Sequence, residues 1–338
     1  MWPPPEIEPD AIRGLLLLGP LFLLAGTMLV SRPVARELTG AMLGVLWNIP
    51  FLILVNKLAA YLGWWRFTAD DLLLEGLPVD IMLGWAAFWG AFLFLATRTL
   101  PIAVPIVIAI AIDIAVMPAL PGTVILGDRW LLGEAGAIGF CLIPGLVLAR
   151  LTAREELVMV RAFLQAGCWG GLVLLLIPAI LLEYRGESVF VYFEWPIWTM
   201  VALPVALMGP VLLGLSGVYE FAAKGCGTPI PFDPPRVLVT TGIYAYLANP
   251  LQISTLLMFL VLAAFYQSLL LILPAASVVI FSEGFVRWHH GMDIVLRFGS
   301  DWTRYRQHVP NWIPRTSPYR NSPKPFGSDQ SNPTRATE

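Results

Sequence analysis

The residues best placed to do chemistry fall in one stretch, "GCGTPIPFDPPRVLVTTGIYAYLANPLQ", residues 225 to 252. Prolines 229, 231, 234 and 235 fix φ and remove N–H donors, so this piece reads as extended and semi-rigid, not helical. Thr240 and Thr241 precede Gly242, and Tyr244 and Tyr246 follow before Asn249-Pro250. The expectation is a structured loop that delivers two phenols and an amide to the mouth of a helical hairpin. Non-helical backbone at membrane depth survives only where it is buried in protein or lines a cavity, so a ligand pocket is expected here.

Other residues invite other chemistry. "WHHGMD" offers His289, His290 and Asp293, with His308 further on, as metal ligands. The chain holds only three histidines in total. The bland reading, histidines near lipid headgroups, is preferred, and no metal is expected. "GCGTP" is not a phosphate-binding loop, because no Gly-Lys-Ser/Thr follows it. Cys141, Cys168 and Cys226 form neither a disulfide framework nor a Cys-x-x-Cys site. Asp80, Asp113 and Glu134, with Arg129 nearby, fall in or beside apolar runs, where ionisable groups are costly and therefore functional candidates. The structural alternative has Asp80 capping a helix after Pro78 and Asp113 hydrogen-bonding within the bundle.

These residues must be positioned by membrane elements. The chain of 338 residues is 57% hydrophobic and 13% charged, about half the charge of a soluble domain. Its mean hydropathy is +0.74. Apolar runs near the spanning length recur without the alternation of a β-barrel. Nine spans are read, at 13–31, 39–62, 77–97, 101–118, 131–149, 162–182, 196–215, 250–266 and 268–287. The fold class is therefore all-α, a polytopic transmembrane helix bundle. The start, MWPPPEIEPD, is acidic and proline-rich, unlike a cleavable signal.

Orientation follows from arginine and lysine in the short loops. Arg32, Arg36, Arg98, Arg150, Arg154, Arg161, Lys224 and Arg236 fall on one side, and Arg13, Lys57, Arg66, Arg129 and Arg185 on the other. The bias places the N-terminus outside and the C-terminus in the cytoplasm, in a bacterial inner membrane. After Trp288 the pattern changes. Apolar or aromatic residues at 292, 294, 295, 298, 302, 305 and 309, among Arg297, Arg304 and Arg306, predict an amphipathic helix at the membrane interface. From Thr316 the chain is polar and without periodicity, a disordered tail.

"GTPIPFDPPRVLVTTGIYAYLANP", the hairpin behind it, and "RFGSDWTRYRQHVPNWIPR" together resemble the isoprenylcysteine carboxyl methyltransferase and phospholipid methyltransferase families of integral membrane enzymes. In those families a Gly-x-Tyr-x-Tyr-x-Arg-(His/Asn)-Pro motif opens the penultimate span, and an acidic pair and a Phe-Gly element follow the last. Gly242, Tyr244, Tyr246, Asn249 and Pro250 match the first motif; Phe298, Gly299, Trp302 and Tyr305 match the second. Pro310, Trp312, Ile313 and Pro314 match its tail. Ala248 stands at the arginine position, and His290 and Gly291 at the acidic pair.

The resemblance implies S-adenosylmethionine bound between the two pieces at the cytoplasmic end of the helices. It implies methyl transfer to a lipid-borne or prenyl-type carboxylate, amine or hydroxyl. Arg287 or Arg297 would take the cofactor carboxylate, and Glu283 or Asp293 its ammonium or sulfonium. The division that follows is a six-span region of unknown role at 1–190, a methyltransferase-like core at 191–315 and the tail at 316–338. A second class of reading stays open: a non-catalytic membrane protein that keeps the fold for lipid binding, transport or assembly, with the six N-terminal spans as its working part. "WWRFTADDLLLEGLPVDIMLGW" also resembles the Trp…Pro-x-Glu pattern of membrane lycopene cyclases, with Asp80 in the acidic place. No nucleic-acid partner is expected, and the oligomeric state is left open.

Overall fold

The computed structural model describes residues 8–120, 122–228 and 233–320; of residues 285–294 only the backbone is described. Among the described residues, nine apolar helices follow one another: α1 (Pro9–Ser31), α2 (Ala35–Tyr61), α3 (Val79–Ala96), α4 (Ala103–Ala119), α5 (Trp130–Arg154), α6 (Val158–Glu183), α7 (Ile197–Gly225), α8 (Pro250–Phe265) and α9 (Leu269–Gly284). A tenth, α10 (Arg287–His308), closes the described helical part. Six of them (α1, α2, α3, α5, α6 and α7) are long and apolar enough to cross a membrane, whereas α4, α8 and α9 have 10–17 residues. This composition suggests an integral, multi-pass membrane protein.

Prolines shape several helices. Widened π-helical turns at Ile138–Leu142 and Leu172–Leu176 directly precede the segments that carry Pro144 and Pro178. A proline ring presses on the carbonyl of the preceding turn and supplies no N–H, and a widened turn relieves both defects.

Contacts between loops sort the helix ends into two groups. At one end, Arg13 of α1 binds Asp80 (2.8 Å) and Asp71 (2.5 Å). Its hydrogen bond holds the Asp71 carboxyl below the usual carboxylate range. Asp80 does both jobs: its Oδ2 pairs with Arg13, and its Oδ1 accepts the Ile81 N–H at 2.8 Å in the first turn of α3, although Pro78 and not Asp80 holds the N-cap position. A cap is a local device, whereas the arginine that claims this carboxylate lies 67 residues away. The same end carries a two-stranded antiparallel sheet of β1 (Trp65–Phe67) and β4 (Val124–Leu126), in register Trp65↔Leu126. A small hairpin, β2 (Leu73–Leu74) on β3 (Leu77–Pro78), lies between them in sequence.

The other end collects Arg98 on Glu37 (3.0 Å), Arg36 on Glu155 (2.8 Å) and Arg161 on Asp233 (2.6 Å). Arg150 there donates to the Leu100 carbonyl at 2.6 Å. Successive helices reverse direction between these two ends. Inside, α2 is packed by α3, α5 and α6. Farther along, Phe259, Leu262, Leu271 and Ala275 of the α8–α9 hairpin close on Val173 of α6 and Leu203 of α7. Only Tyr266, Gln267 and Ser268 join α8 to α9.

Candidate functional site

The loop after α7 is held before it reaches α8. Arg236 donates its N–H to the Gly225 carbonyl at 2.7 Å, which folds the proline-rich stretch back on the helix end. Described residues 233–241 are non-helical, as expected; Pro229 and Pro231 lie outside the described residues. Gly242 then takes φ +55° and begins a short 3-10 turn, Gly242–Ala245. A Cβ there would fall on the Glu220 carboxylate of α7, which accepts a hydrogen bond from the Thr241 hydroxyl at 2.8 Å. Gly242→Ala is therefore expected to lose that bond and to strain the backbone by about 1–2 kcal/mol. A drop in the thermal unfolding midpoint in detergent, matched in part by Thr241→Val, checks this.

Tyr244 is buried, with its ring on Phe221 at 5.9 Å. Its carbonyl accepts the hydroxyl of Tyr305, from α10, at 2.8 Å. Tyr305 is buried between Trp302 (5.9 Å) and Tyr319 (5.6 Å). Burial pushes both tyrosine hydroxyls well above the ordinary range; Tyr305 and Glu220 add to the rise at Tyr244, while Arg306 offsets part of it at Tyr305. They stay protonated, so they serve as donors and packing surfaces, not as bases.

The chain after α10 returns along this loop. Ala248 donates its N–H to the Pro310 carbonyl (2.9 Å), Arg315 to that of Tyr246 (3.0 Å) and Tyr319 to that of Ala245 (2.8 Å). Tyr319 lies beyond the expected start of the polar tail, so packed chain continues at least that far; 321–338 lie outside the described residues. Gly299 adopts φ 49°, ψ −124°, which kinks α10 inside the predicted amphipathic stretch and turns its last part toward Tyr244.

The start of α8 meets the end of α9. Pro250 is the first residue of α8, where its missing N–H costs nothing. Asn249 does not cap α8 with its side chain; its amide donates to Ser282 at 3.3 Å. One residue on, Glu283 accepts from the Trp312 indole (2.6 Å) and the Asn311 amide (3.1 Å) through the same oxygen, Oε1. The Asn311 side-chain oxygen is buried with no hydrogen-bond partner.

The structure thus sets Tyr244 against Tyr305, Tyr246 against the chain after α10, and Asn249 against Ser282 beside Glu283, with Gly242 and Pro250 adjoining them in the chain. Arg287 opens α10, and its side chain lies outside the described residues, as do those of His289, His290, Gly291 and Asp293. Arg297 is exposed. Among the described residues no group of three or more histidine, cysteine or acidic side chains is arranged to hold a metal.

Sequence reasoning passed over Glu220, Ser282 and Asn311. The available signal for Glu220 was a lone carboxylate at the end of an apolar run. For Asn311 it was an amide flanked by Pro310 and Trp312. Asp113 and Glu134 are both buried, each with one carboxyl oxygen lacking a hydrogen-bond partner, and neither belongs to this cluster. Comparison with family models, with curated proteins and with solved structures finds no match to this chain.

Proposed function

We propose that the chain is an integral membrane methyltransferase that uses S-adenosylmethionine and acts on a lipid-borne or prenyl-type acceptor. The observation that carries this reading is the joining of the two pieces that carry the methyltransferase resemblance. Tyr305 binds Tyr244, and the 310–319 segment pairs with 245–248. Fifty or more residues separate these partners, and the α8–α9 hairpin returns the chain to bring them together.

The residues fit the cationic part of such a cofactor. Glu283 is a half-buried carboxylate, and beside it the orphaned Asn311 oxygen is an unmet acceptor. Two acceptors and one negative charge suit an ammonium or a sulfonium. Arg287 and Arg297 are the cations available for a carboxylate. When bound, the cofactor supplies an electrophilic methyl group, and the acceptor enters sideways from the bilayer. The protein's share is to orient and desolvate. Asn249 and Ser282 fix the hairpin mouth, the buried tyrosines exclude water, and no side-chain nucleophile is required.

All nine apolar helices cross in this reading, and α10 lies along the interface. Sixteen residues rise about 24 Å, less than the hydrocarbon thickness of about 30 Å. In this reading the Asn249–Ser282 end lies at or just below the headgroups, within reach of the polar group of a lipid-borne acceptor. The arginine-rich end faces the cytoplasm.

Titration of the purified protein with S-adenosylmethionine and its demethylated product, followed by calorimetry, tests the reading. Saturable binding is expected. Asn249→Ala should weaken it about fivefold, the worth of one hydrogen bond. Tyr244→Phe should weaken it too, and Cys226→Ser, at an exposed thiol, should leave it unchanged. No binding to folded protein at millimolar cofactor would reject methyl transfer. That result would favour the second reading, a fold kept for lipid binding, transport or assembly. One observation already leans that way: Glu283 Oε1 is engaged by both Asn311 and Trp312.

A further inference from the structure

We infer a lipid site on the N-terminal helices, independent of the cluster above. The groove between α1, α2 and α3 takes an acyl chain of an anionic glycerophospholipid, and Arg98 with Ser31 holds its phosphate.

The groove has a volume of about 310 Å³, and every residue lining it is apolar. Leu24 and Met28 come from α1, Leu38, Met42 and Val45 from α2, and Leu95 from α3. The apolar window of α1 buries none of its residues, and α1 leans on α3, where Gly84 lies against the Leu16 backbone. The groove therefore opens sideways, toward lipid.

One end of the groove is polar. Met28 lies one turn before Ser31, Leu95 one turn before Arg98, and Leu38 next to Glu37, so all three helices carry the apolar lining up to a single cluster. There Arg98 Nε pairs with Glu37 at 3.0 Å, and Nη2 donates to the Ser31 carbonyl at 3.0 Å. Its remaining nitrogen, Nη1, is buried without a partner, and so is the Ser31 hydroxyl. Two unmet donors thus lie within one turn of the groove. Arg98 pairs with Glu37 and Arg36 with Glu155, and on the helix ends gathered here Arg32, Arg36, Arg98, Arg150 and Arg154 outnumber Glu37, Glu155 and Glu156.

An occupant must supply acceptor oxygens, one negative charge and a tail. A phosphodiester satisfies a guanidinium and a hydroxyl together, and its acyl chain continues along the groove. A choline lipid offers the same phosphate but adds a cation where cations already exceed acids. An anionic headgroup does not, and basic clusters at span ends favour anionic lipids.

Native mass spectrometry of the detergent-solubilised protein, titrated with phosphatidylglycerol and separately with phosphatidylcholine, tests this. A saturable single adduct is expected, with phosphatidylglycerol preferred. Arg98→Gln should weaken that adduct about tenfold, as expected for one charge-assisted hydrogen bond. Val45→Phe, which fills the groove and leaves the arginines in place, should weaken it as well. Glycerol 3-phosphate, which has no tail, should not compete. Equal binding of the two lipids, or an adduct unchanged in both variants, overturns the proposal. So does competition by glycerol 3-phosphate, or a dimer that Val45→Phe dissociates, since the groove would then hold a free anion or a second copy.

Discussion

Gly90→Val is expected to destabilise the bundle by about 3 kcal/mol or more, near the upper end of overpacking costs. A Cβ at Gly90 would fall on the backbone of Gly44 and Val45, and one at Gly44 would meet the Gly90 carbonyl oxygen at 2.5 Å. Both obstacles are main chain, so no side chain can rotate away; α2 and α3 must separate. The same face of α2 carries Gly40, whose added Cβ would meet the Ala149 carbonyl oxygen of α5 at 2.5 Å. Asn48, one turn beyond Gly44, lies against Gly145. In lipid no hydrophobic force drives one apolar helix onto another, so close backbone approach over small residues carries the association. Prying one crossing open therefore loses the dispersion contacts along its whole length. Gly26→Ala in α1, where nothing lies within 4 Å, is the control. It should be neutral or gain up to about 0.5–1 kcal/mol from helix propensity. Unfolding of purified variants in a denaturing-detergent titration separates the two, and equal midpoints would refute the crossing as the stabilising contact.

The apolar helices were legible because each is a run of leucine, isoleucine and valine bounded by arginine, proline or glycine. The sequence alone does not separate the six long ones from α4, α8 and α9, since an apolar run continues into its flanks while the helix ends at a turn. The β1–β4 pair escaped notice because its strands have three residues each and lie far apart in the chain. Asp80 shows the same limit: its local bond to the Ile81 N–H was foreseeable, while its ion-pair partner, Arg13, belongs to another helix. In the candidate site, Tyr244 and Asn249 stood out in the proline-rich loop, and Tyr305 was singled out by resemblance to a motif. Their mutual contacts depend on the kink at Gly299 and on the return of residues 309–319, which no periodicity announces. Glu220 and Asn311 were missed because each acts through a neighbour distant in sequence. Local chemistry writes the helices; the contacts between them are written by pairs that only the fold brings together.

Glu75→Ala should be the costliest change among the loops, at about 3 kcal/mol. The Glu75 side chain is 1% exposed and lies where three segments converge. Its Oε2 accepts from Ser188 (2.5 Å) and from Lys57 of α2 (3.1 Å), and its Oε1 accepts from the Val189 N–H (2.7 Å). The carboxylate thus ties the β2–β3 hairpin to α2 and to the loop after α6. Removing it leaves the buried Val189 N–H without a partner and frees Lys57 from its counter-charge. Lys57 is 39% exposed and rests over the Phe190 ring at 5.2 Å, so water and the ring recover part of that loss. Most of the cost therefore falls on the hydrogen bonds. Glu75→Gln, which keeps one acceptor oxygen, should lose roughly half as much. Glu75 also sits at φ 53°, a conformation that alanine tolerates poorly and glycine adopts freely. Glu75→Gly should accordingly be less damaging than Glu75→Ala by about 1 kcal/mol, even though it removes the same carboxylate. The order glutamate, glutamine, glycine, alanine in thermal midpoint is the expected result. Indistinguishable midpoints for all four would mean that this end of the bundle is held together without Glu75.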